Sequence, residues 1–353
     1  MKKVLYISNI EVPYRVKFFN KLSEYCDLTV VFERKKSSNR DKKWTESESK
    51  NFKSEYLGGI KIKNENAFSF KILKYIFGGY DSIILGCYNS PVIMFAILIM
   101  RIFRKKYILN LDGEIFLDNS FKSKIKKFFL KGAEKYLTAG EKSAESLKKI
   151  SGKRPVLPYY FSSLDKAQIK ANSNKKTIRN KTVLVVGQYF DYKGMDIALK
   201  AALLDQSINY KFVGMGNRTE LFIKDTNSEN VSNIEFIPFL QKEELEKEYM
   251  ECAVLLLPSR QECWGLVINE AASFGMPIVS TYGSGAAVEF IGDDYPCYLA
   301  RPDNPEELYD CIKKLFESDV QEYSEYLIKK SENYSIEKSV EVHLRACGID
   351  MEG

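Results

Sequence analysis

The stretch Pro258-Ser259-Arg260-Gln261-Glu262-Cys263-Trp264-Gly265-Leu266-Val267-Ile268-Asn269-Glu270-Ala271 is the most informative in the chain. It follows an apolar run, Val254–Leu257, and passes into a helical pattern near Gly265, so it reads as a strand-to-helix junction. The first turn of a helix presents amide N–H groups without partners and a partial positive charge, which suits a phosphate. Glu262 precedes that turn, and Glu270 lies inside the helix. One carboxylate can accept from both vicinal hydroxyls of a ribose, and a second one across the phosphate would meet a sugar. Taken alone, the pair reads more simply as a helix-terminal charge and a solvated helix residue.

It does not stand alone. Val185-Val186-Gly187-Gln188-Tyr189-Phe190-Asp191-Tyr192-Lys193-Gly194-Met195-Asp196 is a second strand-to-helix junction. There Lys193 can meet a pyrophosphate as a point charge, and Gly187 lets the backbone approach it closely. Around these junctions Val183–Val186, Tyr210–Val213, Ile234–Ile237, Val254–Leu257 and Pro277–Thr281 read as strands. Met195–Leu204, Lys242–Met250, Leu266–Phe274 and Glu306–Phe316 read as the intervening helices.

The first half repeats the rhythm. Val4–Ser8, Leu28–Phe32, Ser82–Leu85, Tyr107–Leu111, Lys135–Thr138 and Val156–Leu157 read as strands. Tyr14–Tyr25, Phe68–Phe77, Pro91–Phe103, Phe121–Gly132 and Glu141–Ile150 read as helices. The alternation predicts parallel sheets covered on both faces, hence an α/β protein of two Rossmann-like domains with a cleft between them. The charged segment Arg34–Lys53 is expected as a mobile loop, and the polar stretch Ser162–Lys181 as an interdomain linker. A dinucleotide dehydrogenase is disfavoured, since Ser8-Asn9-Ile10-Glu11-Val12-Pro13 lacks the GxGxxG fingerprint and Val213-Gly214-Met215-Gly216 holds only a GxG. No GxxxxGK[ST] motif is present either.

Together the two junctions resemble the C-terminal domain of the retaining glycosyltransferases of family 4, the group 1 glycosyltransferases of GT-B fold. That family's E-x7-E motif matches Glu262 to Glu270, within a PSxxExxGLxxxEA-like run followed by Gly275-Met276-Pro277-Ile278-Val279. Its G-[RQ]-x(n)-KG segment matches Gly187-Gln188 and Lys193-Gly194. Phe239 falls where the family's backbone reads the nucleobase, and Tyr334-Ser335-Ile336-Glu337 opens a helix similar to the one that crosses back onto the N-terminal domain. The likeness is specific over about residues 182–347 and only architectural over residues 1–160. It implies a GT-B chain with parallel sheets facing across a cleft, an acceptor domain over residues 1–165 joined by a final helix at about 335–353, and a nucleotide-sugar domain over residues 181–334.

Carried over, the resemblance gives Glu270 the ribose hydroxyls and Glu262 the hydroxyls of the donor sugar. Lys193 and the amides around Gly265, Leu266 and Val267 would hold the departing diphosphate, so no metal and no cofactor is implied. Attack would come from the face the leaving group departs, with retention of configuration, and the leaving phosphate can take the acceptor's proton. Three departures stand out. Gln188 occupies a place that is often Arg, and Asn9-Ile10-Glu11-Val12-Pro13-Tyr14-Arg15 replaces the N-terminal glycine-rich loop. Asp112-Gly113-Glu114 stands where a histidine is frequent. Asp112 reads as a contact to the donor sugar or the acceptor hydroxyl, or else as an N-capping residue; Arg15 is the candidate acceptor contact.

Composition narrows the alternatives. Of 353 residues, 45% are hydrophobic, with 22 Phe and 22 Tyr, which is incompatible with intrinsic disorder. The longest fully apolar stretch, Val92 to Met100, is about half the ~20 residues a spanning helix needs. Polar residues interrupt Met1–Asn9 too soon for a signal-peptide core, so a buried first strand is expected. Seven cysteines without CxxC spacing point to a reducing cytoplasm rather than to disulfides or zinc. One histidine, His343, argues against His-ligated metal chemistry and against Ser-His-Asp or Cys-His catalysis.

Charge is divided unevenly. Residues 1–180 hold 37 Lys and Arg against 17 Asp and Glu, whereas residues 181–353 hold 16 against 30. The excess in the first half suits an anionic membrane, such as the inner face of the cell membrane, or a merely solvated lysine-rich surface. Phe121, Ile125, Phe128 and Phe129 recur at helical spacing among Lys122, Lys124, Lys126, Lys127 and Lys131. That stripe is expected to pack on the sheet, leaving the lysines to face lipid headgroups. The expected partners are a nucleotide-sugar, UDP-linked by the resemblance, and a glycan acceptor carried on a lipid in surface-polysaccharide synthesis; no nucleic acid is expected. Two other readings remain: a GT-B nucleotide-sugar epimerase, which a single C-terminal histidine disfavours, and a silent transferase-like subunit, which intact Glu262, Glu270 and Lys193 disfavour.

Overall fold

The computed structural model describes residues 1–34, 49–62, 66–113, 115, 118, 120–228 and 231–351. The chain forms two compact units, one of Met1–Ser163 with Ile336–Gly353, the other of Leu164–Ser335.

The first unit begins with β1 (Lys3–Ile10), α1 (Pro13–Leu22), β2 (Asp27–Arg34) and β3 (Lys53–Tyr56). An antiparallel pair follows, β4 (Ile60–Ile62) and β5 (Asn66–Phe68). Then come α2 (Ile72–Ile76), β6 (Ser82–Leu85), α3 (Pro91–Ile102), β7 (Ile108–Leu111), α4 (Phe121–Leu130), β8 (Lys135–Ala139), α5 (Glu141–Ser151) and β9 (Val156–Tyr159). Among the described residues, seven of these strands form one sheet in the order β3-β2-β1-β6-β7-β8-β9, and every pairing in it is parallel. Strands β1 and β2 are buried along nearly their whole length because helices cover both faces, so they read as unbroken apolar runs rather than alternations. Helix α3 starts where Ser90 accepts from the Ile93 amide at 3.3 Å and Pro91 supplies a preset first turn.

Every strand and helix expected for this half is present, most with shifted ends. The expected helix Phe68–Phe77 contracts to α2, since Phe68 belongs to β5. Strand β3 was not foreseen: Lys53-Ser54-Glu55-Tyr56 lies at the sheet edge, half in solvent, and lacks an apolar signature. The expected loop Arg34–Lys53 falls mostly on residues outside those described. Helix α4 also departs from expectation. It buries Ser123, Phe129 and Leu130, while Phe121, Ile125 and Phe128 are exposed. At about 100° per residue the last three share one side of the helix, opposite the side that meets the protein.

The second unit holds α6 (Lys166–Ser173), β10 (Asn180–Val186), α7 (Met195–Leu204), β11 (Asn209–Val213), α8 (Thr219–Thr226), β12 (Ile234–Ile237), α9 (Lys242–Glu251) and β13 (Cys252–Leu257). It continues with α10 (Leu266–Ser273), β14 (Ile278–Thr281), α11 (Gly285–Phe290), β15 (Leu299–Ala300), α12 (Pro305–Glu317) and α13 (Gln321–Glu332). Its sheet, parallel throughout, runs β12-β11-β10-β13-β14-β15. The chain therefore winds outward in both directions from the β10–β13 pair, and the crevice at such a switch point is where open α/β sheets bind ligands.

The stretch Ser162–Lys181, read from sequence as a linker, contains α6 instead. Asp165 caps it, accepting from the Gln168 amide at 2.7 Å, and Gln168 accepts in return from the Asp165 amide at 3.2 Å. Ile169 and Asn172 are buried, and Asn172 donates to Ser273 Oγ at 2.9 Å, which anchors the helix on α10. The last helix, α14 (Ile336–Ala346), packs within the first unit against α1 and β9. Among the described residues no helix is long and apolar enough to cross a membrane.

Candidate functional site

In a parallel sheet the loops after the strands all emerge at one edge. In the second unit that edge collects Gly187 and Gln188 after β10, Phe239 after β12 and Glu262 after β13. The β10 and β13 strands pair directly, Val183 with Val254 and Val185 with Leu256, so the two junctions singled out from sequence are neighbours.

They are also fitted to one another. Gly194, which ends a 3-10 turn over Asp191–Lys193, has φ +67°, and a Cβ there would stand 2.0 Å from the Pro258 carbonyl oxygen. Only glycine permits that conformation and that approach. The Arg260 and Gln261 amides both donate to the Tyr192 carbonyl, at 2.9 and 3.2 Å. On its other side the Glu262 amide donates to the Gly283 carbonyl at 2.7 Å.

Lys193 Nζ and Glu262 Oε2 form an ion pair bridging the two junctions, each side chain about one-fifth exposed or less. Just beyond, Gly265 (φ +109°) turns the chain into α10, whose first amides, those of Leu266 and Val267, have no acceptor inside the helix. Trp264 donates from Nε1 to Asn269 Oδ1 at 2.8 Å, and Ser284 donates to the Trp264 carbonyl at 2.8 Å, which fixes that turn. Glu270, half-buried on α10, accepts from the buried Tyr249 hydroxyl at 3.0 Å. Burial, with the Glu270 charge adding to it, pushes the Tyr249 hydroxyl up, so it stays a donor.

Two residues of this site were passed over in the sequence. Arg260 donates from Nη1 and Nη2 to the two carboxylate oxygens of Asp196, at 2.8 and 2.7 Å, and from Nη1 to the Asp191 carbonyl at 2.6 Å. Burial pushes the Asp196 carboxyl up, but the Arg260 hydrogen bonds outweigh it and hold it below the usual range. The signal was an Arg inside one junction and an Asp in the first helical turn of the other.

Arg15 and Asp112 belong to the first unit, and the fold brings them together. Arg15 Nη2 is paired with Asp112 Oδ2, and its Nη1 donates to the Tyr6 hydroxyl at 3.2 Å. The Tyr159 hydroxyl donates to Asp112 Oδ1 at 3.0 Å, and Asn110 Nδ2 donates to the Tyr6 hydroxyl at 2.9 Å. The cap of α4 is Ser120, so Asp112 is not a capping residue. Arg15 and His343, with Asn110 and Tyr159, line one small cleft. His343 donates from Nδ1 to the Ser339 carbonyl at 2.7 Å, and burial holds its pKa down at about 4, so the ring is neutral. At the end of β2, Glu33 accepts from Ser90 Oγ at 2.7 Å, and burial pushes its carboxyl up to about 7. Among the described residues no three His, Cys, Asp or Glu side chains converge as metal ligands would.

Residues 165–334 match the family model of glycosyl transferases group 1. An uncharacterized glycosyltransferase of Methanocaldococcus jannaschii is 29% identical over 136 residues, 38% of this chain and 38% of that protein. An uncharacterized glycosyltransferase of Haemophilus influenzae is 30% identical over 171 residues, 46% of this chain and 48% of that protein. The chain thus spans less than half the length of these curated relatives. Among solved structures, Anabaena HepE in complex with UDP-glucose aligns over 98% of this chain and 100% of that one, with TM-score 0.68 and 16% identity. The chain has the GT-B fold of two Rossmann-like domains, and residues 165–334, within its second unit, carry the group 1 glycosyl transferase signature.

Proposed function

We propose that the chain is a retaining, metal-independent glycosyltransferase that moves a sugar from a UDP-sugar to a lipid-linked glycan of surface-polysaccharide synthesis. It would work at the inner face of the cell membrane. The observation that carries the reading is the Lys193–Glu262 ion pair beside the first-turn amides of α10, at the switch point of the second sheet. In this site each charge satisfies the other. A donor exchanges both partners at once, its diphosphate taking the Lys193 ammonium and its sugar hydroxyls taking the Glu262 carboxylate.

The remaining roles follow from position. Glu270, oriented by Tyr249, accepts from the ribose hydroxyls. Gly187, Gln188 and Phe239 border the nucleotide along the carboxyl edge of the sheet, and the amides of Gly265, Leu266 and Val267 face the β-phosphate. As the glycosidic bond breaks, negative charge grows on the diphosphate, and Lys193 and those amides stabilise it without reorganising. The acceptor hydroxyl attacks from the same face and passes its proton to the departing phosphate. Residues 1–165 and the final helix bind the acceptor, with Asp112 contacting sugar hydroxyls and Arg15 holding Asp112 in place.

The reading is supported by the UDP-glucose complex of Anabaena HepE, a protein of the same fold. The test is transfer from labelled UDP-sugars to a lipid-linked acceptor, with the anomeric configuration of the product read by NMR. Transfer with an inverted product would overturn retention, and absence of both binding and transfer for every nucleotide-sugar would overturn the reading as a whole.

A further inference from the structure

Three neighbouring segments of the first unit leave large apolar side chains in water. On α4, Phe121 is 76% exposed and Phe128 52%, with Ile125 between them. At the end of α3, Ile102 is 71% and Phe103 59% exposed, and Phe77 follows α2. The segments are joined. The Phe77 and Phe103 rings pack edge to face with centroids 5.2 Å apart. Arg101, in the last turn of α3, lies 4.7 Å from the Phe128 ring centroid and donates from Nη2 to the Phe128 carbonyl at 2.8 Å. Contiguous exposed aromatic surface of this kind marks an interaction site.

The charge around it identifies the occupant. Residues 101–106 and 121–131 hold nine Lys and Arg and no Asp or Glu. On α4, Phe121, Ile125 and Phe128 fall within about 60° of arc, with Lys122 on one flank and Lys124, Lys127 and Lys131 on the other. The opposite side of the helix is the one buried against the protein. An apolar stripe outward, cations on both flanks and a protein-facing back are the features of a helix lying in a bilayer interface. Among the described residues, Lys106 alone of this set has a carboxylate partner, Glu134 at 2.7 Å. Lys105 stands 5.0 Å from the Phe77 centroid, and Arg101 bears on the Phe128 ring and carbonyl, so charge and apolar surface form one face.

We propose that this face, made by α4, the end of α3 and Phe77, docks the protein on an anionic lipid bilayer, with Phe121, Phe128, Ile102 and Phe103 entering the headgroup–acyl boundary. The inference deepens the lipid-linked acceptor reading and takes its purpose from it. Its physical basis is independent: each lysine near an anionic leaflet strengthens binding about five-fold, and burial of the rings adds to this.

The test uses the full chain with vesicles of phosphatidylcholine alone and of phosphatidylcholine with phosphatidylglycerol, sedimented at 0.1 M and 1 M salt. UDP-glucose binding is measured in parallel by calorimetry and oligomeric state by light scattering. The wild type is expected to sediment with the anionic vesicles at 0.1 M and to be released at 1 M, where the screening length falls from about 10 to about 3 Å. The double variant Phe121→Ser/Phe128→Ser should lose about tenfold in partitioning. The triple variant Lys122→Glu/Lys124→Glu/Lys127→Glu should lose about a hundredfold or more. Both keep their UDP-glucose affinity, since all five side chains are exposed surface residues. Absence of wild-type sedimentation while UDP-glucose still binds would overturn the docking face and leave the transferase reading intact. Vesicle binding without any nucleotide-sugar binding would do the reverse. A dimer that the Phe→Ser variant dissolves, with no vesicle binding, would assign the face to a second copy of the chain and overturn the proposal.

Discussion

Arg260 and Asp196 are locked by two parallel hydrogen bonds, Nη1 to Oδ1 at 2.8 Å and Nη2 to Oδ2 at 2.7 Å. The pair joins the loop after β13 to the first turn of α7, and these are the two segments that carry Glu262 and Lys193. A planar guanidinium matched to a carboxylate fixes angle as well as distance, which a lysine cannot do.

Arg260→Lys is therefore expected to keep the charge and lose the alignment. Unit stability should fall by about 1–2 kcal/mol, while the donor KM rises more than the change in kcat. Denaturant unfolding and steady-state kinetics on the same preparation check this. Unchanged donor KM would show that the two junctions hold their register without the clamp.

Glu270 and Lys193 should separate kinetically. In the proposed site the ribose contact of Glu270 persists from bound donor to transition state, so Glu270→Ala is expected to raise the donor KM about tenfold or more with a smaller effect on kcat. In the same proposal the charge of Lys193 matters most as the diphosphate leaves, so Lys193→Ala should depress kcat by about a hundredfold, with Lys193→Arg recovering part of it. If kcat/KM stayed at the wild-type value in both Ala variants, the donor site would be assigned wrongly.

Activity is expected to survive excess EDTA. No Asp-x-Asp occurs in the chain, and its one histidine is buried and neutral in the first unit. In the proposed mechanism, positive charge for the leaving group comes from Lys193 and oriented amides instead. Loss of transfer that manganese or magnesium restores would reverse this assignment.

Two buried groups of the first unit should give opposite pH slopes. Burial raises Glu33 from 4.5 to about 7 in the folded chain, although Ser90, Arg34 and Cys87 pull the other way. Its contribution is therefore present below 4.5 and lost as pH rises through about 7, by about 3 kcal/mol. Burial lowers His343 from 6.5 to about 4, with the Ser339 carbonyl and Asp112 opposing and Arg15 reinforcing. Its contribution is present above 6.5 and lost as pH falls through about 4, by a similar amount. Between 4.5 and 6.5 the two offset each other. Urea unfolding across this range should show a flatter profile for the wild type than for either variant, with stability rising with pH in Glu33→Gln and falling with pH in His343→Gln. Parallel profiles for all three proteins would rule the two groups out as the source.

Much of the molecule was legible in the sequence for a local reason. A strand buried on both faces must be an apolar run, as Val183–Val186 and Val254–Leu257 are, and a glycine or a capping residue marks many helix starts, as at Gly194, Gly265 and Ser90. These requirements act over a few residues, so they define the two alternating units and place Lys193, Glu262 and Glu270 at strand-to-helix junctions. Edge strand β3 escaped because a half-solvated edge demands no apolar pattern, and α6 because a short capped helix with one buried face resembles a polar linker in composition.

What only tertiary structure decided is which charges meet and which apolar residues stay outside. Sheet order set β10 beside β13, and this made partners of Lys193 and Glu262, 69 residues apart, and of Asp196 and Arg260, 64 apart. It likewise brought Arg15 to Asp112 across 97 residues. The periodicity of α4 announces an amphipathic helix but not which side meets the protein, because lysine stems and aromatic rings can each serve as cover. Packing resolved that ambiguity by burying Ser123, Phe129 and Leu130 and leaving the Phe121, Ile125 and Phe128 stripe in solvent.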